Sequence, residues 1–127
     1  MLGQYLALAA GAIAVACFPA VAQAGDTLAG QHDFSRCAAC HSAEPGKNGI
    51  GPSLAGVVGR SSGAAPDYSY STAMKNAHIT WDAATLDRFL ANPQSVVRGT
   101  KMFVDVPDAA ARANVIAYLA TLKQAGK

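Results

Sequence analysis

The sequence predicts an all-α domain of short helices separated by long irregular loops. Capped, apolar-periodic segments recur along the chain, and no stretch alternates apolar and polar residues as a half-buried strand does. Residues 46–63 hold six glycines and Pro52, too many breakers for a regular element. Loops of this length are uncommon in so small a domain unless something besides its own side chains organises them.

Residues 1–24, MLGQYLALAAGAIAVACFPAVAQA, carry no charged side chain, and the first charge is Asp26. The apolar run from Leu6 to Phe18 has the length of a signal-peptide core and is short for a membrane span. Ala22-Gln23-Ala24 has the small-x-small form of a cleavage site. Residues 1–24 are therefore predicted to be an export signal and 25–127 the mature domain. The n-region has no Lys or Arg, which keeps an uncleaved anchor as an alternative. Lipidation at Cys17 is a weaker one, because Ala14-Val15-Ala16 is a poor lipoprotein match.

A first helix is predicted over roughly 27–38, opened by Asp26 and carrying Leu28 and Phe34. A second fits 82–91: Asp82 caps it, Leu86, Phe89 and Leu90 share a face, and Pro93 ends it. A third fits 108–124, with Val115, Ile116, Leu119 and Leu122 on one face. Pro107 lies at its start, and Asp105 and Asp108 supply N-terminal charge and capping.

Composition narrows the class. At 127 residues the chain is one domain, and 51% hydrophobic against 14% charged residues is too apolar for disorder. A net charge of +2 excludes a dedicated nucleic-acid binder. Three cysteines are too few for a disulfide scaffold.

Cys37-Ala38-Ala39-Cys40-His41 has the C-x-x-C-H pattern. On a helical turn, cysteines three apart reach adjacent vinyl groups of one porphyrin as thioethers, and the next residue swings its imidazole under the iron. Export fits, because these bonds form outside the cytoplasm. A zinc site would want four ligands, and only Cys37, Cys40, His41 and one of His32 or His78 are on offer. A thioredoxin-type pair would want a βαβ context. A Cys37–Cys40 disulfide would close too small a loop to stabilise much. A haem also explains the loops, since glycines let backbone pack closely on a flat apolar group. For the sixth iron position, Met1 leaves with the signal, and spacing does not choose among Met102, Met74 and His78.

The sequence resembles the class I cytochrome c family, of the mitochondrial and photosynthetic-bacterial type, across residues 26–124. The motifs are Cys37-Ala-Ala-Cys-His41, Gly51-Pro52-Ser-Leu54, Gly59-Arg60, Tyr68-Ser-Tyr70, Ile79-Thr-Trp81, Asn92-Pro93, Gly99-Thr-Lys-Met102 and Ile116-Ala-Tyr-Leu119. The resemblance implies three to five short helices and Gly-rich loops around one haem c, covalent through Cys37 and Cys40. It implies His41 and Met102 as iron ligands, Pro52 as the carbonyl orienting the imidazole, and Arg60, Tyr70, Trp81 and Thr100 around the propionates. Gly30 and Phe34 resemble the pair that packs on the last helix near Val115 and Tyr118.

The resemblance further implies a monomeric periplasmic carrier of single electrons and not an enzyme. Its expected partners are a cytochrome bc1-type complex, a terminal oxidase or a dehydrogenase, and it meets a membrane only through partners or an uncleaved N-terminus. The alternatives are a haem c subunit of a dehydrogenase complex and a peroxidase or gas-sensing haem protein. The sequence departs from the pattern at Phe89 (usually Tyr), Met74 (commonly Asn) and Arg98 (often Pro). Neutral Gln94 and Ser95 stand among positions where the mitochondrial type carries lysines around the haem edge.

Overall fold

The computed structural model of the protein describes residues 10–17 and 25–123. Most of the predicted signal segment, including Ala22-Gln23-Ala24, lies outside these residues, as does Gln124 at the predicted end of the last helix. No helix among the described residues is long and apolar enough to cross a membrane.

The helices are α1 (Thr27–Asp33), α2 (Thr72–Lys75), α3 (Ala83–Ala91), α4 (Pro93–Val96) and α5 (Ala109–Leu119). The only pairing of extended backbone among the described residues is a lone antiparallel bridge between Ser61 and Thr80.

Side-chain caps explain where the helices begin. The Asp26 carboxylate accepts from the Ala29 amide at 2.9 Å, and Asp108 accepts from Ala111 at 2.9 Å. Asp82 and Thr85 form a reciprocal capping box, each side chain bonding the other's backbone amide at 2.8 Å. Asn92 caps α4 by accepting from Ser95 at 3.2 Å, so Pro93 both stops α3 and stands at the first position of α4. Asp105 takes no part in capping α5. The single-turn helices α2 and α4 were not predicted, because four residues cannot express a 3.6-residue period.

Two predicted boundaries are corrected. The 27–38 helix keeps α geometry only to Asp33 and then tightens into a 3₁₀ turn, Phe34–Arg36. Short-range bonds continue the winding, from Cys40 N to Cys37 O at 3.0 Å and from His41 N to Cys37 O at 2.9 Å. With three residues per turn, side chains three apart eclipse, which brings Cys37 and Cys40 to one side of the chain. The 108–124 helix stops at Leu119. Leu122 still reaches the core through a turn, where its carbonyl accepts from the Gly56 amide at 3.1 Å.

α1 crosses α5 at close range. Gly30 is buried, and a Cβ there would fall onto the Asn114 carbonyl and within 2.9 Å of Tyr118 Cβ. One turn on, Phe34 packs against Tyr118 with ring centroids 5.3 Å apart. Leu28, the other large apolar residue of the predicted helix, is 78% exposed. At about 100° per residue it lies roughly 200° around α1 from Gly30, on the solvent side. A second tie joins α3 to the start of α5. Arg112 Nε donates to Asp87 Oδ1 at 2.8 Å, while its Nη1 donates to the carbonyls of Val106 and Pro107 at 3.0 and 2.9 Å.

Gly30→Ala should therefore destabilise the haem-loaded protein by about 1–3 kcal/mol or more, the range for overpacking a filled contact. Leu28→Ala should change stability by less than about 0.5 kcal/mol. Denaturant unfolding midpoints of both variants check the pair.

Candidate haem site

One cavity of about 440 Å³ opens among the helices. Its apolar wall comes from Leu54 and Val57 in the Gly-rich loop, Leu86, Phe89 and Leu90 of α3, and Val115 and Leu119 of α5. All nine predicted site residues line it: Cys37, Cys40, His41, Pro52, Arg60, Tyr70, Trp81, Thr100 and Met102. Of the candidates that spacing left open for the sixth position, Met102 and Met74 are on this wall, whereas His78 is not. His78 is exposed and sits in a left-handed backbone conformation at φ 52°.

The turn after α1 presents Cys37, Cys40 and His41 to the cavity. The two cysteines are not disulfide-linked. Burial pushes the Cys37 thiol above its ordinary pKa, only partly offset by the neighbouring Arg36 charge. Among the described residues no three His, Cys, Asp or Glu side chains gather as a metal cluster, so a zinc centre has no donor set.

His41 Nδ1 lies 2.7 Å from the Pro52 carbonyl oxygen. A carbonyl only accepts, so Nδ1 carries the proton. Burial holds the His41 pKa below its ordinary value, against the opposing pull of the Pro52 bond and with the help of the Arg60 charge. The neutral imidazole therefore keeps its free lone pair on Nε2. Gly51 makes this approach possible, because a Cβ there would overlap the His41 ring.

Met102 sits in a loop whose conformation the notation Gly99-Thr-Lys-Met does not explain. The Thr100 amide closes a turn onto Val97 O at 3.0 Å, and the Met102 amide donates to Thr100 Oγ1 at 3.3 Å. The Gln94 side chain bonds the same loop at three points. Sequence reasoning missed Gln94, because a contact between a side chain and a distant loop leaves no periodic signal.

The polar groups of the wall are arranged with capacity to spare. Arg60 Nη1 donates to the carbonyls of Ser53 at 3.0 Å and Ala55 at 3.3 Å. Arg60 Nε is buried and has no partner. Burial lowers the Arg60 pKa, opposed by Tyr70, but a guanidinium stays charged. Tyr70 Oη accepts from the Ala65 amide at 3.1 Å and keeps its own proton to donate. Thr100 is buried, and its hydroxyl accepts from Met102 and likewise keeps its proton. Trp81 is buried with its ring 5.0 Å from Phe89. Next to them, Tyr68 donates to the Ile50 carbonyl at 2.8 Å and meets Tyr70 edge-on at 4.7 Å.

These residues fit a haem. The wall is apolar, two thiols and a neutral imidazole stand on it, and an orphaned guanidinium nitrogen matches the carboxylates that such a group carries. A small all-α fold around such a cavity, with C-x-x-C-H on its wall, defines the class of c-type haem proteins.

The Cytochrome c family model matches residues 22–123. The chain is 50% identical over 105 residues to cytochrome c2 of Rhodoblastus acidophilus, covering 81% of this chain and 98% of that one. It is 50% identical over 100 residues to cytochrome c2 of Rhodomicrobium vannielii, covering 77% and 80%. Among solved structures, cytochrome cH from Methylobacterium extorquens superposes with a TM-score of 0.72 at 45% identity, covering 76% of this chain and 99% of that one. Cytochrome c2 from Rhodospirillum centenum gives 0.75 at 32% identity, covering 78% and 99%. The chain belongs to the cytochrome c family. Its cofactor is haem c, held covalently through Cys37 and Cys40, and it carries electrons with redox partners and is not an enzyme.

Gly51→Ala tests the cradle. The added methyl should force the His41 ring away from Pro52, lowering the yield of haem-loaded protein and its stability, the latter by about 1–3 kcal/mol. Haem content per chain and thermal unfolding measure both effects.

Proposed function

We propose that the protein is an exported, soluble, monomeric periplasmic carrier of single electrons, with His41 and Met102 as the two iron ligands. The observation that carries this reading is the His41–Pro52 hydrogen bond, which leaves Nε2 as the free donor on a wall that also bears the Met102 thioether. Haem c, when bound, supplies a one-electron Fe(III)/Fe(II) couple, and a thioether ligand raises its potential. The chain's residues hold that couple still. Pro52 fixes the tautomer and plane of His41. Leu86, Phe89, Leu90, Val115 and Leu119 exclude water, which keeps charge reorganisation small. Arg60 Nε and the hydroxyls of Tyr70 and Thr100 would bind the propionates, screened by Trp81. With His41 and Met102 both holding the iron, no position would be left for a substrate.

An optical spectrum of oxidised and reduced protein tests the ligand set. Met102→Ala should abolish the Met–iron charge-transfer band, lower the potential and admit outside ligands, with haem still attached through Cys37 and Cys40. Met74→Ala should leave the band in place. The reverse pattern overturns the assignment.

The expected partners are a cytochrome bc1-type complex, a terminal oxidase or a dehydrogenase. Docking would rely on a local patch, because the net charge of +2 is offset by the propionates. Arg36, Arg98 and Lys101 are exposed, and Arg36 and Lys101 also line the cavity. Lys47 is partly neutralised by Glu44 at 3.4 Å. Electron transfer to an acidic partner should slow with added salt, and Lys101→Glu should slow it more than Lys101→Gln at low salt. Equal rates for the two variants would place docking elsewhere.

A further inference from the structure

Gln94 is half-buried on α4, between the buried Pro93 and the exposed Ser95. Its Nε2 donates to the Thr100 carbonyl at 2.8 Å and to the Met102 carbonyl at 3.3 Å. Its Oε1 accepts from the Gly99 amide at 3.2 Å. One carboxamide thus spans the whole Gly99–Met102 segment. The orientation is determined by the partners. Reversing the amide would set its NH2 against the Gly99 N–H and its oxygen against two carbonyls.

The segment has little else to hold it. Among the described residues, no backbone-to-backbone hydrogen bond involves Lys101 through Asp105. The remaining local ties are the Thr100 amide on the Val97 carbonyl, the Met102 amide on Thr100 Oγ1 and the Lys101 ammonium on the Ser69 carbonyl, at 3.0, 3.3 and 2.5 Å. No other side chain has the chemistry and length of glutamine. Glutamate lacks the donors, lysine lacks the acceptor, and asparagine is one methylene short.

We propose that Gln94 is the positioning residue for Met102: its carboxamide clamps the Gly99–Met102 segment to α4 and so sets how readily the Met102 side of the cavity opens to an outside ligand. This rests on Met102 as the axial ligand. An outside ligand binds only the open form, so its apparent affinity scales with the open fraction. Each ordinary hydrogen bond contributes modestly, and the loss of two or three of them should raise that fraction about tenfold or more.

The test uses the haem-loaded protein and imidazole as the probe, with two variants. Gln94→Met keeps the volume and removes all three bonds. Gln94→Glu keeps the acceptor for Gly99 and removes both donations. Both should bind imidazole to the ferric protein about tenfold or more tighter than the parent, with the charge-transfer band present before imidazole is added. Amide hydrogen exchange separates a clamp from general loosening. The Gly99 amide should lose protection in Gln94→Met and retain it in Gln94→Glu, while the α5 amides stay protected in both. Unchanged imidazole affinity in both variants overturns the clamp, as does equal loss of protection across Gly99 and α5. If Met102→Ala keeps the charge-transfer band, the axial assignment fails instead, whatever the Gln94 variants do.

Discussion

The hydrogen bond from His41 Nδ1 to the Pro52 carbonyl is the contact on which the site depends. It joins a turn that carries both cysteines to a loop with no regular structure, and it decides which imidazole nitrogen is available. Much of the surrounding backbone serves to hold its two ends. The Gly51 amide donates to Cys40 O at 2.8 Å and the Leu54 amide to Ser42 O at 2.9 Å. Ser53 Oγ donates to Glu44 O at 2.6 Å, and Arg60 supports the same segment from the far side through Ser53 and Ala55. Arg60 therefore supports the segment that carries Pro52 while its own Nε is left buried without a partner.

The helices supply the frame for this contact. The α1–α5 crossing brings the cysteine turn alongside Val115 and Leu119, and only glycine at position 30 allows the backbones to approach so closely. Arg112 ties α3 to the segment that leads into α5, which closes the apolar wall formed by Leu86, Phe89 and Leu90. A small chain gains from this economy. Trp81, Leu86, Phe89, Leu90, Val115 and Leu119 are organised around the space for a flat group, so the cofactor completes the core.

The irregular segments are held by more than a haem. Asn48 donates to Pro66 O at 2.9 Å and accepts from the Ser53 amide at 2.9 Å, Tyr68 reaches Ile50 O, and Ser62 Oγ accepts from the Ile79 amide at 3.1 Å. Single polar side chains stitch one loop to the next, which gives the buried backbone its partners without a sheet. The expectation that the Gly-rich stretch had only a cofactor to order it was therefore incomplete. Gln94 belongs to this class, and in the mitochondrial pattern its position looked like a lost surface charge.

The sequence by itself determined what is local. Asp26, Asp82 and Asp108 announce their helices because a cap acts within three residues, and Cys37-Ala-Ala-Cys-His41 announces its cofactor because the thioether spacing is contained in one turn. It also supplied a set of site residues that all line one cavity. Tertiary structure decided the rest. The winding after Asp33, the exposure of Leu28 and the partners of Arg60 depend on which surfaces meet. Spacing alone could not separate Met102 and Met74 from His78 as wall residues, since which of them lines the cavity depends on how distant segments close around it. The clamp of Gln94 on Gly99, Thr100 and Met102 is of the same kind, because hydrogen bonds between a side chain and a remote backbone obey no period along the chain.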